Sequence, residues 1–365
     1  MSDRFAVRRE RVLKALKETE ADAVLVTSET NVRYLTGFTG DSTYLLLAPK
    51  ATRLISDSRY EAQLAEECPG VPAHIRTQRT KMVDSVAEVF KQEKPGRVGF
   101  EGEQVSFAFW EQLRDAAKTT ELTSLGGLVE TLRAVKDAGE IAEIRAAIRL
   151  AERAFRVAVA GLTPEMTEIE VSYELERNIR RFGGQGLSFE AIVAAGDRAA
   201  LPHYRPSRNP IGDAGLLLID WGARGPGGYI SDLTRTFATA KPSTKLEKVH
   251  GIVDQARTAA ITAVRPGMKA TDVDAAARRM IEKAGYGKNF GHGLGHGIGL
   301  QVHESIRLSS ISTDVLKAGM VFTIEPGIYL EGWGGVRIED NVLVTKDGCE
   351  VLSTLPRALE RVGLV

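Results

Sequence analysis

The chain has 365 residues, which predicts about two domains, and its 43% apolar content is enough for two hydrophobic cores. A formal net charge of +0 argues against nucleic acid or an anionic membrane as a partner. The sequence has no apolar run of about 18 residues and no basic-then-apolar leader, which argues against a membrane anchor. Because Cys68 and Cys349 are its only cysteines, we expect no disulfide framework and a cytoplasmic location.

Residues 1–131 are predicted to form an α/β domain, because short apolar strands alternate there with amphipathic segments. Strands are expected at 23–27, 44–48 and 98–100, and helices at 5–16 and 106–117. This part of the chain contains none of the candidate metal ligands identified below.

Residues 132–365 are predicted to form a second domain, in which two pairs of helices each precede a β-hairpin. The helices are expected at about 139–160, 167–181, 244–264 and 271–284. Thr271 and Asp274 have the spacing of a capping box at the start of the last helix, which Gly285 would end. The repeated order suggests two related halves with the functional residues at their seam.

The first hairpin carries two aspartates, in Asp220-Trp-Gly-Ala-Arg-Gly-Pro226-Gly-Gly-Tyr-Ile-Ser-Asp232. An apolar strand enters the glycine- and proline-rich turn, and a second strand, 229–237, leaves it. A turn centred on Pro226 would place Asp220 and Asp232 directly opposite each other.

A glycine-rich segment, Gly291-His-Gly-Leu-Gly-His-Gly-Ile-Gly299, contains two histidines among five glycines. Alternating glycines remove side chains that would crowd an imidazole, and they allow backbone conformations that other residues avoid. The segment is therefore not expected to be helical. On its own it is more typical of an irregular loop than of a functional site.

The last hairpin carries two glutamates, in Glu325-Pro-Gly-Ile-Tyr-Leu-Glu-Gly332-Trp-Gly-Gly-Val-Arg-Ile-Glu339. A turn centred on Gly332 would place Glu325 opposite Glu339. Like charges directly opposite each other destabilise a sheet, so two such pairs indicate a cation between them. Four carboxylates and one neutral imidazole would balance two divalent ions and a bridging hydroxide, and oxygen-rich ligation suits manganese, cobalt or zinc.

These motifs resemble those of the metal-dependent Xaa-Pro peptidases, prolidase and aminopeptidase P. The resemblance covers five separated segments in the same order across about 120 residues. It implies a mixed α/β (α+β) fold: an N-terminal creatinase/prolidase-type domain, which the segment 31–40 also resembles, followed by a pita-bread catalytic domain with a pseudo-twofold repeat. The metal ligands that it implies are Asp220, Asp232, His296, Glu325 and Glu339.

The resemblance also implies roles for neighbouring residues. His203 and His303 match histidines that hydrogen-bond the scissile peptide and the developing oxyanion, and Glu325 would move a proton to the leaving amine. The residues that match the pocket for the substrate proline ring are His292, Tyr329 and Arg337. Each of these histidines has a purely structural alternative, which stays open for His203.

The implied reaction is hydrolysis of the peptide bond preceding proline by a hydroxide that bridges two divalent ions. A dipeptidase must bind the free carboxylate of Xaa-Pro, and Arg307, four residues past His303, is a candidate because its fork binds both oxygens. The proline usual in that loop is Ile306 here, and Arg307 is alternatively a solvated charge. We favour prolidase over aminopeptidase P.

Three other activities are weighed against this one. A methionine aminopeptidase would share the five ligands but lack the N-terminal domain, and a creatinase-like amidinohydrolase would lack the full ligand set. A non-catalytic peptide-binding protein on the same fold would be expected to have lost ligands, and none is lost here. Proline-containing dipeptides or short peptides are the expected partners, and the resemblance suggests a homodimer.

Overall fold

The computed structural model describes residues 4–212 and 214–362, which fall into two compact units, Met1–Arg133 and Ala134–Val365. Both units combine helices with β-sheets, so the predicted mixed α/β fold class is confirmed. Within the described residues, no helix is both long and apolar enough to cross a membrane.

The first unit is built on one mixed sheet of six strands, in the order β4-β3-β2-β1-β5-β6. Its strands are β1 (Ala23–Val26), β2 (Tyr44–Ala48), β3 (Ala51–Asp57), β4 (Ala73–Arg76), β5 (Arg97–Glu101) and β6 (Glu121–Leu125). Its helices are α1 (Arg4–Leu16), α2 (Glu29–Thr36), α3 (Glu61–Glu67), α4 (Met82–Glu93), α5 (Phe107–Ala116) and α6 (Leu128–Arg133). The three strands and two helices predicted here are confirmed to within about one residue at each end.

The second unit contains two pairs of long helices, each followed by antiparallel strands. The helices are α7 (Ala138–Ala160), α8 (Glu168–Arg181), α9 (Thr244–Ala263) and α10 (Ala270–Lys283), close to the predicted bounds. The strands after α8 are β7 (Gly186–Leu187), β8 (Ile192–Ala195), β9 (Leu216–Trp221), β10 (Ala223–Arg224) and β11 (Leu233–Ala238). Those after α10 are β12 (Gly295–Gly297), β13 (Glu304–Leu308), β14 (Val321–Ile324), β15 (Gly327–Leu330), β16 (Gly334–Arg337), β17 (Asp340–Val344) and β18 (Cys349–Val351).

These strands form four sheets. Two are small ladders, β10 with β7 and β15 with β16, and the others have the orders β11-β9-β8 and β13-β12-β14-β17-β18. The order of two helices followed by a hairpin therefore occurs twice along the chain.

Two helix starts in the second unit follow local sequence rules, and one predicted start does not. Capping boxes begin α7 at Asp137 and α8 at Thr167. The capping box predicted at Thr271 is wrong, because α10 begins one residue earlier and Asp274 bonds the guanidinium of Arg278. Gly285 follows the helix end with φ +89°, as predicted for a residue that stops it.

Strand β9 is buried on both faces, and this decides where its aspartate points. Leu217 and Ile219 pack into a core with residues of α7 and α8, whereas Leu216 and Leu218 belong to the core that includes α9 and α10. Successive side chains of a strand alternate between faces. Asp220 therefore lies on the same face as Leu216 and Leu218, at the end of the strand.

Candidate metal centre and active-site cavity

The second unit contains a cavity of about 790 Å³ that collects most of the candidate site residues. Ten of the eleven residues named from the sequence line it: His203, Asp220, Asp232, His292, His296, His303, Arg307, Glu325, Arg337 and Glu339. The eleventh, Tyr329, is not a lining residue but hydrogen-bonds two that are. Residues separated by more than 130 positions in the chain thus share one concave site.

The two aspartates lie on the same face of the β9–β11 hairpin but not directly opposite each other. Asp220 pairs with Thr234, and Asp232 lies two residues before that position. The predicted register is wrong by two residues because the turn centres on Gly227, and the second strand begins at Leu233 rather than at 229. A shift of two residues keeps a side chain on its original face, so both carboxylates still point the same way.

The two glutamates lie at a break between two β-ladders. The β14–β17 ladder and the β15–β16 ladder have one common register, the one predicted for a turn at Gly332, which is confirmed. Glu325 and Glu339 are the facing positions at the break, where Pro326 has no N–H to contribute. The chain thus presents both carboxylates at an interruption of the sheet.

His296 is the central residue of β12 and faces the acidic residues. Its backbone N–H donates to Thr323 Oγ1 at 3.0 Å, and the Thr323 hydroxyl donates to Glu325 Oε1 at 3.0 Å. His296 Nε2 lies 3.4 Å from Glu325 Oε1 and 3.7 Å from Asp232 Oδ2. One potential ligand atom from each of Asp232, His296 and Glu339 lies within 4.8 Å of the others.

The glycines around His296 allow close packing rather than unusual backbone angles. All of the residues from 291 to 299 are described, and none of their glycines has a positive φ, contrary to the conformational role expected for them. A Cβ atom at Gly295 would overlap the carbonyl oxygen of Thr323, and one at Gly299 would meet the carboxylate of Glu304. The absence of side chains is what lets neighbouring strands approach β12.

Three carboxylate oxygens in this cavity are buried and have no hydrogen-bond partner among the described residues: Asp220 Oδ1, Asp232 Oδ1 and Glu339 Oε1. The second oxygens of two of these groups are bonded, by Arg337 Nη2 to Asp220 at 2.6 Å and by the Thr234 hydroxyl to Glu339 at 2.7 Å. Buried polar atoms are rarely left without a partner. Unpaired anionic oxygens beside an imidazole are the donor set that divalent metal ions take, so these residues fit such a cofactor.

The protonation states follow from the burial of the site. Burial, and then the nearby Glu339, raises the pKa of Asp232 well above its usual range, and burial does the same to the pKa of Glu339. Burial raises the pKa of Glu325 to about 7. Burial, and then His303, lowers the pKa of His296 to about 3, so this imidazole is neutral as metal ligation requires.

A hydrogen-bond network connects the acidic residues to the pocket wall. Arg337 donates to Asp220, to Thr234 Oγ1 at 3.0 Å and to the Tyr329 hydroxyl at 2.8 Å. Tyr329 is also 2.9 Å from His292 Nε2, and burial lowers the pKa of His292 to about 4. Most of the Arg337 donors are therefore occupied by protein groups, which fixes the orientation of its neighbours.

His303 lines the cavity beside His296, with ring centroids 4.3 Å apart in an edge-to-face arrangement. The next residue, Glu304, is buried and accepts from Lys136 Nζ at 2.9 Å and from Leu300 N at 2.9 Å. The ion pair with Lys136 is nearly solvent-free and fixes the Glu304 carboxylate. Through Leu300, that carboxylate holds the segment between His296 and His303.

His203 is exposed at the cavity wall, on a segment tied to α8. The carboxylate of Glu168, which is buried, accepts from the Tyr204 hydroxyl at 2.9 Å and from the backbone and hydroxyl of Ser207. The segment that carries His203 is thereby anchored at both of these residues.

Arg307 lies in strand β13 rather than in the expected loop, paired with His296 across the sheet. Its side chain is exposed and lines the cavity. Its Nη1 donates to the backbone carbonyl of Glu304 at 3.0 Å. The guanidinium thus lines the same cavity as the acidic residues and makes no ion pair with them.

The sequence reasoning missed two threonines that hold the carboxylates, although a signal for them exists. Thr234 follows Asp232 by two residues, and Thr323 precedes Glu325 by two. In a strand, that spacing puts a hydroxyl on the same face as the acid. No motif marks the other cavity-lining residues that were missed, which include Phe189, Glu190, Ile192 and Tyr204.

A buried set of carboxylates and a neutral imidazole in a cavity defines the protein as one built to hold metal ions, and comparison with known proteins narrows the class. The model of metallopeptidase family M24 matches residues 142–346, and that of the creatinase/prolidase N-terminal domain matches residues 8–135. The chain is 35% identical to the Xaa-Pro dipeptidase of Pyrococcus furiosus, over 96% of this chain and 99% of that protein.

Two solved structures are similar over almost their whole length. An Xaa-Pro dipeptidase from Bacillus anthracis superposes with a TM-score of 0.94 at 37% identity, covering 98% of this chain and 99% of that one. An X-Pro aminopeptidase from Thermotoga maritima superposes with a TM-score of 0.88 at 35% identity, covering 96% and 100%. The chain belongs to metallopeptidase family M24. It is a hydrolase of a family that uses divalent metal ions.

The close packing of β12 predicts that Gly295→Ala disrupts the cavity. The new Cβ would overlap Thr323, and such overpacking costs about 1–3 kcal/mol and displaces His296. We expect a lower melting temperature and weaker Mn²⁺ binding, measured by calorimetry. Gly291→Ala is the matched control, because its Cβ meets nothing within 4 Å. Equal behaviour of the two variants would contradict this packing role.

The raised pKa of Glu325 predicts that metal stabilises the protein more at pH 8 than at pH 6. A folded-state pKa of about 7, above the ordinary 4.5, favours the metal-free fold at low pH, and this stabilisation is lost as pH rises through 7. Glu325 alone would then destabilise the metal-free protein by about 1 kcal/mol between these two pH values. Ligation also needs the ionised carboxylate.

The measurement is the rise in melting temperature between EDTA-treated and Mn²⁺-loaded protein at the two pH values. His296 does not titrate in this window, since its pKa is lowered to about 3. If the rise in melting temperature is equal at both pH values, or larger at pH 6, Glu325 does not carry a buried proton in the metal-free protein.

Proposed function

We propose that the protein is an Xaa-Pro dipeptidase that hydrolyses the peptide bond preceding proline, with two divalent ions held by Asp220, Asp232, His296, Glu325 and Glu339. The observation that carries this proposal is the convergence of three buried, unpaired carboxylate oxygens beside a neutral imidazole. The names and near-complete coverage of the relatives support the substrate class.

The charge of the site supports two ions rather than one. Four carboxylates in one cavity bring about four negative charges, and Arg337 offsets one of them through its bond to Asp220. A single divalent ion would leave an excess of negative charge in a buried site, which is costly. The one nitrogen among oxygen donors suits manganese, cobalt or zinc.

When bound, the ions supply a water of lowered pKa and a Lewis acid for the scissile carbonyl. Glu325, whose carboxylate lies 3.4 Å from His296 Nε2 in the cavity, is proposed to take a proton and deliver it to the leaving proline nitrogen. His303 is suited to donate an N–H to the carbonyl oxygen, since burial lowers its pKa and keeps the ring neutral. His203, which also lines the cavity, is proposed to orient the peptide.

Proline selectivity is proposed to come from His292 and Arg337, which line the cavity, and from Tyr329, which hydrogen-bonds both of them. Their mutual hydrogen bonds hold a fixed surface against which a pyrrolidine ring can pack. Arg307 is proposed to bind the free carboxylate of the dipeptide, because its exposed guanidinium lines the cavity. This last contact is what would make the enzyme a dipeptidase.

Xaa-Pro aminopeptidase activity on longer peptides is the second candidate. It is favoured by the likeness to the Thermotoga maritima X-Pro aminopeptidase, whose identity of 35% is nearly that of the dipeptidases. The two activities share the ligands and differ in whether the carboxyl end of the substrate is enclosed. Arg307 is the residue that distinguishes them in this chain.

Three further properties belong to this proposal. We infer a domain boundary at about residues 131–132, a homodimer in solution, and a cytoplasmic location. The inferred location rests on the cysteine content of the sequence, which is two widely separated residues, Cys68 and Cys349. Light scattering on the purified protein tests the dimer.

Hydrolysis of Ala-Pro and Ala-Pro-Ala, measured together with elemental analysis, tests the function. We expect about two equivalents of Mn, Co or Zn per chain, cleavage of Ala-Pro, and much slower cleavage of Ala-Pro-Ala. EDTA should abolish cleavage, and Asp232→Asn should lower both metal content and rate. Preferred cleavage of the tripeptide would identify an aminopeptidase, and no metal with no cleavage would refute the enzyme.

Arg307→Ala is predicted to raise KM for Ala-Pro by about tenfold or more, because a charge-assisted contact worth about 1.5–3 kcal/mol is lost. The same variant should treat Ala-Pro-amide like the wild type, since that substrate has no carboxylate. Arg145→Ala, which breaks an exposed pair with Glu350, is the control. Unchanged kinetics on Ala-Pro would show that Arg307 is only a solvated charge and would remove the preference for a dipeptidase.

A further inference from the structure

A cluster of three arginines around one buried aspartate lies directly behind the candidate metal centre. We infer that this Asp340 cluster, formed by Asp340, Arg235, Arg257 and Arg357, positions the carboxylates of the centre and sets its affinity for divalent metal. The inference rests on the proposed function, because it assumes that the centre binds metal.

Asp340 is completely buried and accepts hydrogen bonds from all three guanidiniums. Arg235 Nη2 donates to Oδ1 at 2.9 Å, and Arg257 Nη1 donates to Oδ2 at 2.9 Å. Arg357 donates to both oxygens, at 3.0 Å from Nε and 3.2 Å from Nη2. A carboxylate held from three directions has one orientation, and so does the backbone on either side of it.

Arg235 carries this rigidity to the candidate ligand Glu339. Its Nη1 donates to the backbone carbonyl of Glu339 at 2.6 Å and to that of Thr234 at 2.8 Å. Thr234 in turn bonds the Glu339 carboxylate through its hydroxyl and accepts from the Glu339 N–H at 3.1 Å. The guanidinium of Arg235 therefore joins the strand that follows Asp232 to Glu339, at the ladder break.

The residue after Asp340 completes the arrangement. Asn341 Nδ2 donates to the backbone carbonyl of Asp232 at 2.6 Å. Three consecutive residues thus have separate tasks: Glu339 presents a carboxylate, Asp340 anchors the backbone, and Asn341 holds the backbone of a second candidate ligand.

The net positive charge of the Asp340 cluster also acts on the carboxylates of the metal centre. Three guanidiniums share Asp340, and Asp254 pairs with one of them, Arg257, so a positive charge remains in excess. The centre on the other side of Glu339 carries four carboxylates. The excess positive charge offsets their mutual repulsion while the backbone contacts keep them in place, and ligands that are already ordered lose less entropy when metal binds.

Arg235→Lys and Asp340→Asn test the inference. Lysine keeps the charge of Arg235 but lacks the planar fork, in which Nη1 bonds Glu339 and Thr234 while Nη2 bonds Asp340. We expect each variant to weaken Mn²⁺ binding by about tenfold or more, measured by competition with a chelator, as for other residues that support ligands. Higher Mn²⁺ concentration should restore turnover.

The rise in melting temperature on adding Mn²⁺ separates positioning from a merely structural role. A structural role would lower the melting temperature equally with and without Mn²⁺, whereas a positioning role makes the Mn²⁺-induced rise smaller. If circular dichroism shows that Asp340→Asn does not fold, Arg357→Met replaces it in the same measurements. This variant removes the most exposed of the three guanidiniums. Arg145→Met, at an exposed ion pair, should leave the Mn²⁺ affinity unchanged.

The outcomes distinguish the two proposals. A wild-type protein that binds no Mn²⁺ would refute the proposed function itself. Wild-type binding, together with variants whose Mn²⁺ affinity stays within about twofold and whose Mn²⁺-induced rise is normal, would overturn only the role of the Asp340 cluster.

Discussion

The second unit is organised around carboxylates that its own hydrogen-bond donors do not fully satisfy. Arg337 bonds one oxygen of Asp220, and Thr234 bonds one oxygen of Glu339, while the other oxygen of each has no partner among the described residues. Burial and mutual repulsion both disfavour ionised carboxylates, which is why the pKa values of Asp232 and Glu339 are raised. A divalent cation relieves both effects, and the surrounding contacts keep the groups together without one.

The two-residue period of β-strands connects the fold to this constraint. It sets Asp220 on the face of Leu216 and Leu218, and it sets a threonine hydroxyl beside Asp232 and another beside Glu325. The same period explains why the error in the aspartate register did not change the predicted face of either carboxylate. A turn displaced by one residue shifts the pairing by two, and the side chains keep their face.

Periodicity predicted the helices, because they follow from local pattern. Ten of the cavity-lining residues were named from the acidic hairpins and from the resemblance of the motifs to a known family. The capping box at Thr271 was wrong because Asp274 has a stronger partner, the guanidinium of Arg278, that only the fold brings near. The register at Asp220 depended on one turn position, which the run of glycines leaves ambiguous. Long-range partners such as Lys136 and Glu304 carry no local signal, so only the structure shows them.

The two halves hold their carboxylates by different means. Asp220 belongs to the β9–β11 ladder, which fixes its backbone, and Asp232 directly precedes the second strand of that ladder. The glutamates lie where the ladder breaks, and the backbone there needs another support. The Glu325 N–H donates to Leu294, and the Glu339 carbonyl accepts from Arg235, whose guanidinium also reaches Asp340. Glu339 has no ladder partner at the break, so the buried Asp340 cluster supports its backbone and keeps its carboxylate near those of the aspartates.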